Sequence, residues 1–250
     1  MLVRCYIPLL IAAAASARRR NPVAHEAALA KCGLHKFSWF DGYAGALGQG
    51  NTEGASGTIT RRVGAACGSV PNPTYNAVSS WVMIASDGSP GGYVQSGTQA
   101  GYGQCLTYFA QTRRTNSYAP QTKYGGCISA DGSTHSYNEQ YGTGCGCEYA
   151  KIDGTVWMTT SWNPLSNWTY PFQPQLFGEA NYRESDIPGT SGSPTSYASL
   201  QGQNGSNNKY YSWSCNGFLK PSNNTLYHRS DGKQWWLQTT SCPAFEIWTG

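Results

Sequence analysis

The stretch Trp81-Val82-Met83-Ile84-Ala85, followed by Asp87-Gly88-Ser89-Pro90-Gly91-Gly92 and then Tyr93-Val94-Gln95-Ser96, reads as a β-hairpin. Five consecutive apolar residues are too few for a buried helix, and the Gly/Pro cluster forces the chain to turn. Outward from this hairpin the same pattern repeats. Cys105-Leu106-Thr107-Tyr108-Phe109-Ala110 follows it, and residues 148–152 and 155–159 flank Asp153-Gly154, a strong two-residue hairpin signal. Residues 175–182 form another strand, ended by the polar Gly/Pro-containing stretch 184–194. Further strands are expected at 210–215, 226–229 and 235–239. In Thr58-Ile59-Thr60-Arg61-Arg62-Val63, alternation puts Ile59 and Val63 on an apolar face that Arg61 shares. About ten short strands at this spacing predict an all-β fold, a two-layer antiparallel β-sandwich that is jelly-roll-like.

Composition agrees. Hydrophobic residues are 39%, with nine Trp, seventeen Tyr and seven Phe, which is enough to close a core. Charged residues are 12%, about half the common share, and thirty Gly with thirteen Pro supply the turns. Helical bundles, coiled coils and Rossmann-type sheets are excluded. The formal net charge is +4, but Arg18, Arg19 and Arg20 carry three of those positives. The remainder is near neutral, so no nucleic-acid partner is expected.

Residues 1–17 read as a signal peptide: a short basic start, an apolar run from Cys5 to Ala17, and a small-x-small end at Ala15-Ser16-Ala17. The run is shorter than the roughly 20 residues that cross a bilayer, so the expected product is secreted, with no membrane partner. Residues 18–37 read as a linker or short pro-segment, helical at best over 24–31, and residues 38–250 as the sandwich domain. Arg61-Arg62 could be a dibasic cleavage site, but a cut there would discard Cys32 and leave an odd number of cysteines. After loss of Cys5, eight cysteines remain, an even set that predicts up to four disulfides in an exported chain. Cys145-Gly146-Cys147 has no second close Cys or His pair, and the four histidines are scattered; no metal and no cofactor are expected.

Familiar catalytic signatures are missing. There is no G-x-S-x-G, no Walker A, no H-E-x-x-H, and no histidine in a recognisable context. Carboxylates and amides on strands remain. Asp41, Asp87, Asp131, Asp153 and Asp231 each precede Gly, where an Asp caps its own turn, and Asp186 also lies in a turn-like context. Glu179 differs, because it sits inside an apolar strand after Phe177-Gly178, where a charge needs partners or a cleft. Gly178 would let another backbone approach. Gln95 is a similar amide inside the hairpin. Taken alone, both read more readily as ordinary polar residues on the solvent face of a strand than as a site.

The order Trp81-Val82, Asp87-Gly88, Gln95-Ser96-Gly97 and then Phe177-Gly178-Glu179-Ala180 is similar to the eqolisin-type glutamic peptidases. The segment around Glu179 together with Ser185-Asp186-Ile187-Pro188-Gly189 also resembles the C-terminal domain of neprosin-type peptidases, which use two glutamates; Gln95 follows the eqolisin pattern. The resemblance implies an acid-acting endopeptidase on a polypeptide substrate. Glu179 would be the general base toward water, Gln95 the oxyanion donor, and Trp81 a wall of the substrate cleft. A carboxylate base of ordinary pKa, about 4.3, is already ionised in mild acid. The competing expectation is a non-catalytic module that binds a glycan through exposed aromatics, one of them supplied by Trp235-Trp236, whose indoles would point to opposite faces. Glycoside hydrolysis would need a second strand-borne carboxylate, for which Glu148 is the candidate.

Overall fold

The computed structural model describes residues 39–48, 52–67, 77–86, 91–168, 172–182, 185–213, 218–219, 235–241 and 243–250. The segments 1–17 and 18–37, the expected strand at 226–229 and the turn at 87–90 lie outside them. Sixteen strands and a single four-residue helix, α1 (Pro164–Asn167), make up the described fold. The strands are β1 (Trp39–Gly48), β2 (Thr52–Thr60), β3 (Ala77–Ser86), β4 (Tyr93–Gly101), β5 (Leu106–Arg113), β6 (Gln121–Cys127), β7 (Thr134–Gly142) and β8 (Cys147–Ile152). They continue as β9 (Thr155–Thr159), β10 (Phe172–Tyr182), β11 (Gly189–Thr190), β12 (Ser193–Asn204), β13 (Tyr210–Ser212), β14 (Phe218–Leu219), β15 (Trp235–Ser241) and β16 (Ala244–Thr249).

One layer runs β14-β1-β10-β3-β4-β5-β6 and the other β9-β8-β7-β2-β12-β16-β15. A single pairing, Phe172 with Thr52, joins them at one corner. The pairings are antiparallel except for the two-residue β11, which meets β16 in parallel. Between the layers lies the main core, including Ile59, Val82, Ile84, Val94, Tyr137, Leu176, Tyr197 and Ile247. The hairpin read from the sequence is present: Ala85 faces Tyr93 and Trp81 faces Gly97 across β3 and β4. At Asp153-Gly154 both residues take positive φ (50° and 76°), the two-residue turn that an Asp-Gly pair favours. Cys105–Cys127 ties β5 to the end of β6, Cys145–Cys147 closes the β7–β8 turn, and Cys67 is also disulfide-bonded.

Two sequence expectations change. The strand expected to reach Val63 ends at Thr60, and Val63 is exposed. Arg61 leaves the sheet because its guanidinium pairs with Asp131 and with the Tyr108 hydroxyl, which removes the conflict of a cation on an apolar face. Glu148, the candidate second carboxylate for sugar chemistry, is 0% exposed inside the sandwich and reaches no cleft.

Glu148 is not alone there. Glu139 on β7 is likewise sealed, with one oxygen accepting from the Ser96 hydroxyl across the layers at 2.5 Å and the other unpartnered; both Glu148 oxygens are unpartnered. Burial pushes both carboxyls well above their ordinary 4.5, and for Glu148 the neighbouring Glu139 and Glu53 push further. Glu53 on β2 is raised by burial, and the Tyr210 hydroxyl, donating to the Glu139 carbonyl, is the other titratable neighbour. Raised carboxyls hold their protons in the folded state after the unfolded chain has lost them. Stability is therefore fully present below about pH 4.5 and is withdrawn as pH rises above it, by up to about 1.4 kcal/mol per group for each pH unit. The thermal midpoint should be highest near pH 4 and fall toward pH 8, and Glu148→Gln should flatten that decline. A midpoint rising from pH 4 to pH 8 would show these glutamates to be ionised and compensated.

Candidate active site

Strand β3 is buried on both sides. Val78, Val82 and Ile84 enter the main core, while Trp81 joins Phe177 and Phe109 in a second small cluster on the opposite face, with Met83 and Tyr124 packed against it. The register explains this cluster: Phe177, Trp81, Gly97, Phe109 and Tyr124 stand side by side across β10, β3, β4, β5 and β6. It is a ladder of aromatics with one rung lacking a side chain. On one side of the ladder, Glu179, Ser79, Gln99 and Thr107 form a polar row; on the other, Gln175, Met83, Gln95, Gln111 and Thr122 form a second row. With no side chain at Gly97, the two rows are open to one another at β4.

Glu179 and Gln95, from strands that do not touch, line the same groove, together with Ser79, Gln99, Gln111 and Tyr124. Its volume is about 70 Å³, room for a water or two rather than for a buried side chain. A polymeric substrate would have to lie across it.

Each side chain is held. The Trp81 indole N–H donates to Glu179 Oε2 at 2.8 Å, and the Ser79 hydroxyl donates to the same oxygen at 3.4 Å. Gln95 Nε2 donates to Gln111 Oε1 at 2.8 Å, and the Tyr93 hydroxyl donates to that oxygen at 2.6 Å. Gln111 Nε2 donates onward to Thr122 Oγ1 at 2.7 Å. Two donors on one Gln111 oxygen fix its amide the right way round, and this in turn turns the Gln95 nitrogen toward β5. One Nε2 hydrogen of Gln95 is left for another acceptor. Burial pushes the Tyr93 hydroxyl up to about 12, with Arg113 opposing and Glu179 and Tyr124 adding to the rise, so it stays a donor from acid to neutral pH.

The sequence reading placed Glu179 and Gln95 on strands, and the fold brings them to one groove. Trp81 is 2% exposed and does not line that groove. It stands beneath, stacked on Phe177 with ring centroids 5.2 Å apart, and its contribution is the hydrogen bond to Glu179. Gln111, Tyr93 and Ser79 were not foreseen, because amides and hydroxyls on strands give no signal until the register is known. Gly178 accommodates the end of the Ile247 side chain rather than another backbone. The Trp235-Trp236 pair does split, with Trp235 3% and Trp236 40% exposed. Among the described residues no group of three or more His, Cys, Asp or Glu is placed to hold a metal ion, and no helix is long and apolar enough to cross a membrane.

A Cβ at Gly97 would sit 2.0 Å from the Ser80 carbonyl oxygen, a backbone obstacle, whereas one at Gly178 would meet the mobile tip of Ile247 at 2.1 Å. Gly97→Ala should therefore destabilise by about 1–3 kcal/mol, several degrees in Tm, and Gly178→Ala by less. Equal midpoints for the two variants would contradict the close approach of β3 and β4.

No family model matches the chain, and no curated protein matches it by sequence. Its fold has solved counterparts. It is similar to scytalido-glutamic peptidase with a transition-state analogue inhibitor, at TM-score 0.55 and 10% identity over 85% of this chain and 98% of that one. The same enzyme with a peptide-based transition-state analogue gives TM-score 0.54 and 8% identity over the same shares. An eqolisin-family peptidase, SCP-B, in complex with the tripeptide Ala-Ile-His, aligns at TM-score 0.49 and 10% identity. At this identity the similarity is one of fold: the chain has the β-sandwich architecture of the glutamic peptidases.

Proposed function

We propose that this chain is a secreted, acid-acting endopeptidase of the glutamic type, with Glu179 as general base and Gln95 as oxyanion donor. The observation that carries the reading is the convergence of these two side chains in one small groove, each fixed by its own hydrogen-bonded support. The substrate is a polypeptide laid across the groove.

The chemistry follows from the two groups. The Glu179 carboxylate takes a proton from a water whose oxygen attacks the peptide carbonyl carbon. The free Nε2 hydrogen of Gln95 donates to the carbonyl oxygen as it becomes negative; an amide does not titrate, so it donates at any working pH. Protonated Glu179 then gives its proton to the departing amine nitrogen, and the C–N bond breaks. Trp81 and Ser79 both donate to Glu179 Oε2, which holds the carboxyl group in place at the groove. The raised carboxyls inside the sandwich suit the same reading, since they favour the folded state in the mild acid where such an enzyme would work.

The test is digestion of an unfolded protein in mild acid. Glu179→Gln should lower turnover by about 10³-fold or more, and Gln95→Ala by about 10²–10³-fold. Gln111→Leu, which removes the acceptor that orients Gln95, should lower kcat by about tenfold with little change in KM. Equal cleavage by the wild type, Glu179→Gln and Gln95→Ala would end the peptidase reading.

A further inference from the structure

On the opposite layer, away from the groove, three side chains meet that no spacing rule would join. Ser133 Oγ lies 2.8 Å from His135 Nε2, and His135 Nδ1 lies 2.7 Å from Asp153 Oδ2. Ser133 precedes β7, His135 is its second residue, and Asp153 comes from the β8–β9 turn, so two separate pieces of chain supply the arrangement. The other oxygen of Asp153 accepts the Ser136 N–H at 3.0 Å, which leaves Oδ2 facing the imidazole. His135 is 18% and Asp153 52% exposed, so the group is supported from below and open from above.

We propose that Ser133, His135 and Asp153 form a second, serine-dependent hydrolytic site that takes small carboxylic esters. With Nδ1–H donated to Asp153, His135 Nε2 is the acceptor facing the serine hydroxyl. Nε2 takes the Ser133 proton as Oγ bonds to the ester carbonyl carbon, and the carbonyl electron pair moves onto its oxygen. The tetrahedral adduct collapses, the alcohol leaves with the proton from Nε2, and an acyl-serine remains. Water repeats the sequence, releasing the carboxylic acid and restoring Ser133.

The nearby backbone donors are engaged: the Ser133 N–H by Asp131 at 2.9 Å and the Gly132 N–H by the Arg61 carbonyl at 3.2 Å. Oxyanion stabilisation therefore falls to side chains. The Tyr108 hydroxyl lies 3.2 Å from His135 Nε2 and 3.0 Å from Nδ1 and accepts from Arg61 Nη1 at 2.9 Å, so its own proton can be offered to an oxygen beside Ser133. The Arg62 guanidinium lies over Gly132, where an added Cβ would meet its Nη1 at 2.2 Å, and brings a positive charge to the same turn. Trp157, edge-on to Tyr108 at 5.7 Å, gives a short apolar acyl group something to lean on.

Asp131 sets the condition for activity. Its Oδ1 is 2.6 Å from Ser133 Oγ, so the serine proton has two acceptors, and Arg61 pairs with Asp131 through Nε at 3.2 Å. His135 Nε2 must take that proton in competition with Asp131.

The experiment uses the full chain at about pH 8, with a fluorophosphonate probe and 4-nitrophenyl acetate. The expected result is one label per chain, located at Ser133 by peptide mass mapping, with ester turnover that Ser133→Ala abolishes. His135→Gln should slow labelling by about 100-fold and Asp153→Asn by about tenfold or more. Thermal midpoints of the variants within a few degrees of the wild type exclude loss of fold as the cause. Where a midpoint falls further, the position of the wild-type label decides. No label on the folded wild type, a label elsewhere, or unchanged turnover in Ser133→Ala would overturn the proposal.

Discussion

The indole N–H of Trp81 is a single donor buried in an aromatic cluster, and it is satisfied by the carboxylate of Glu179. A buried donor left unmet costs about 1–3 kcal/mol, so this bond constrains both partners. It fixes the strand β10 carboxylate relative to β3 and turns one of its oxygens inward. Placing that donor requires β3 to be covered on both faces, by the main core on one and by Phe177 and Phe109 on the other. The groove, the aromatic ladder and the polar rows on either side of it all follow from a strand packed on two sides.

The same logic separates the two layers chemically. One carries amides, hydroxyls and a half-buried carboxylate along a groove, each with a specific donor or acceptor. The other encloses Glu139 and Glu148, three of whose four carboxyl oxygens lack partners and whose carboxyls burial pushes well above their ordinary range. Ser96 joins the two, since it follows Gln95 on β4 and donates to Glu139 through the core. A change in the ionisation of Glu139 would be felt one residue away from the groove. The cluster around His135, near the start of β7, is balanced by Arg61 and Asp131 rather than by burial.

The central strand of the groove, β3, was legible because its stretch 81–85 is apolar on both faces. Trp81-Val82-Met83-Ile84-Ala85 needs no knowledge of which side is core, and Asp153-Gly154 marks its turn by backbone chemistry alone. The opposite layer was harder to read. In β7, Tyr137, Glu139 and Tyr141 alternate inward, and a glutamate in that position masks the period. In β12, the sequence Ser-Pro-Thr-Ser-Tyr-Ala-Ser-Leu-Gln-Gly-Gln-Asn looks like a loop, yet Tyr197, Leu200 and Gln203 are buried. Gln203 can be there because its amide bonds the backbone of Tyr141 on both sides, a partner only tertiary structure supplies. Glu179 and Gln95 were found through residue order, but their supports Gln111 and Ser79 depend on register. The Ser133–His135–Asp153 contact depends on a turn folding back over a strand start, which no spacing rule encodes.

The central claim is that Glu179 and Gln95 act on one water between them. A high-resolution crystal structure of the chain in mild acid tests it most directly. The account predicts one ordered water within about 3 Å of both a Glu179 carboxylate oxygen and the Gln95 amide nitrogen. Well-ordered side chains sharing no water, or a Gln95 amide rotated out of the groove, would contradict it.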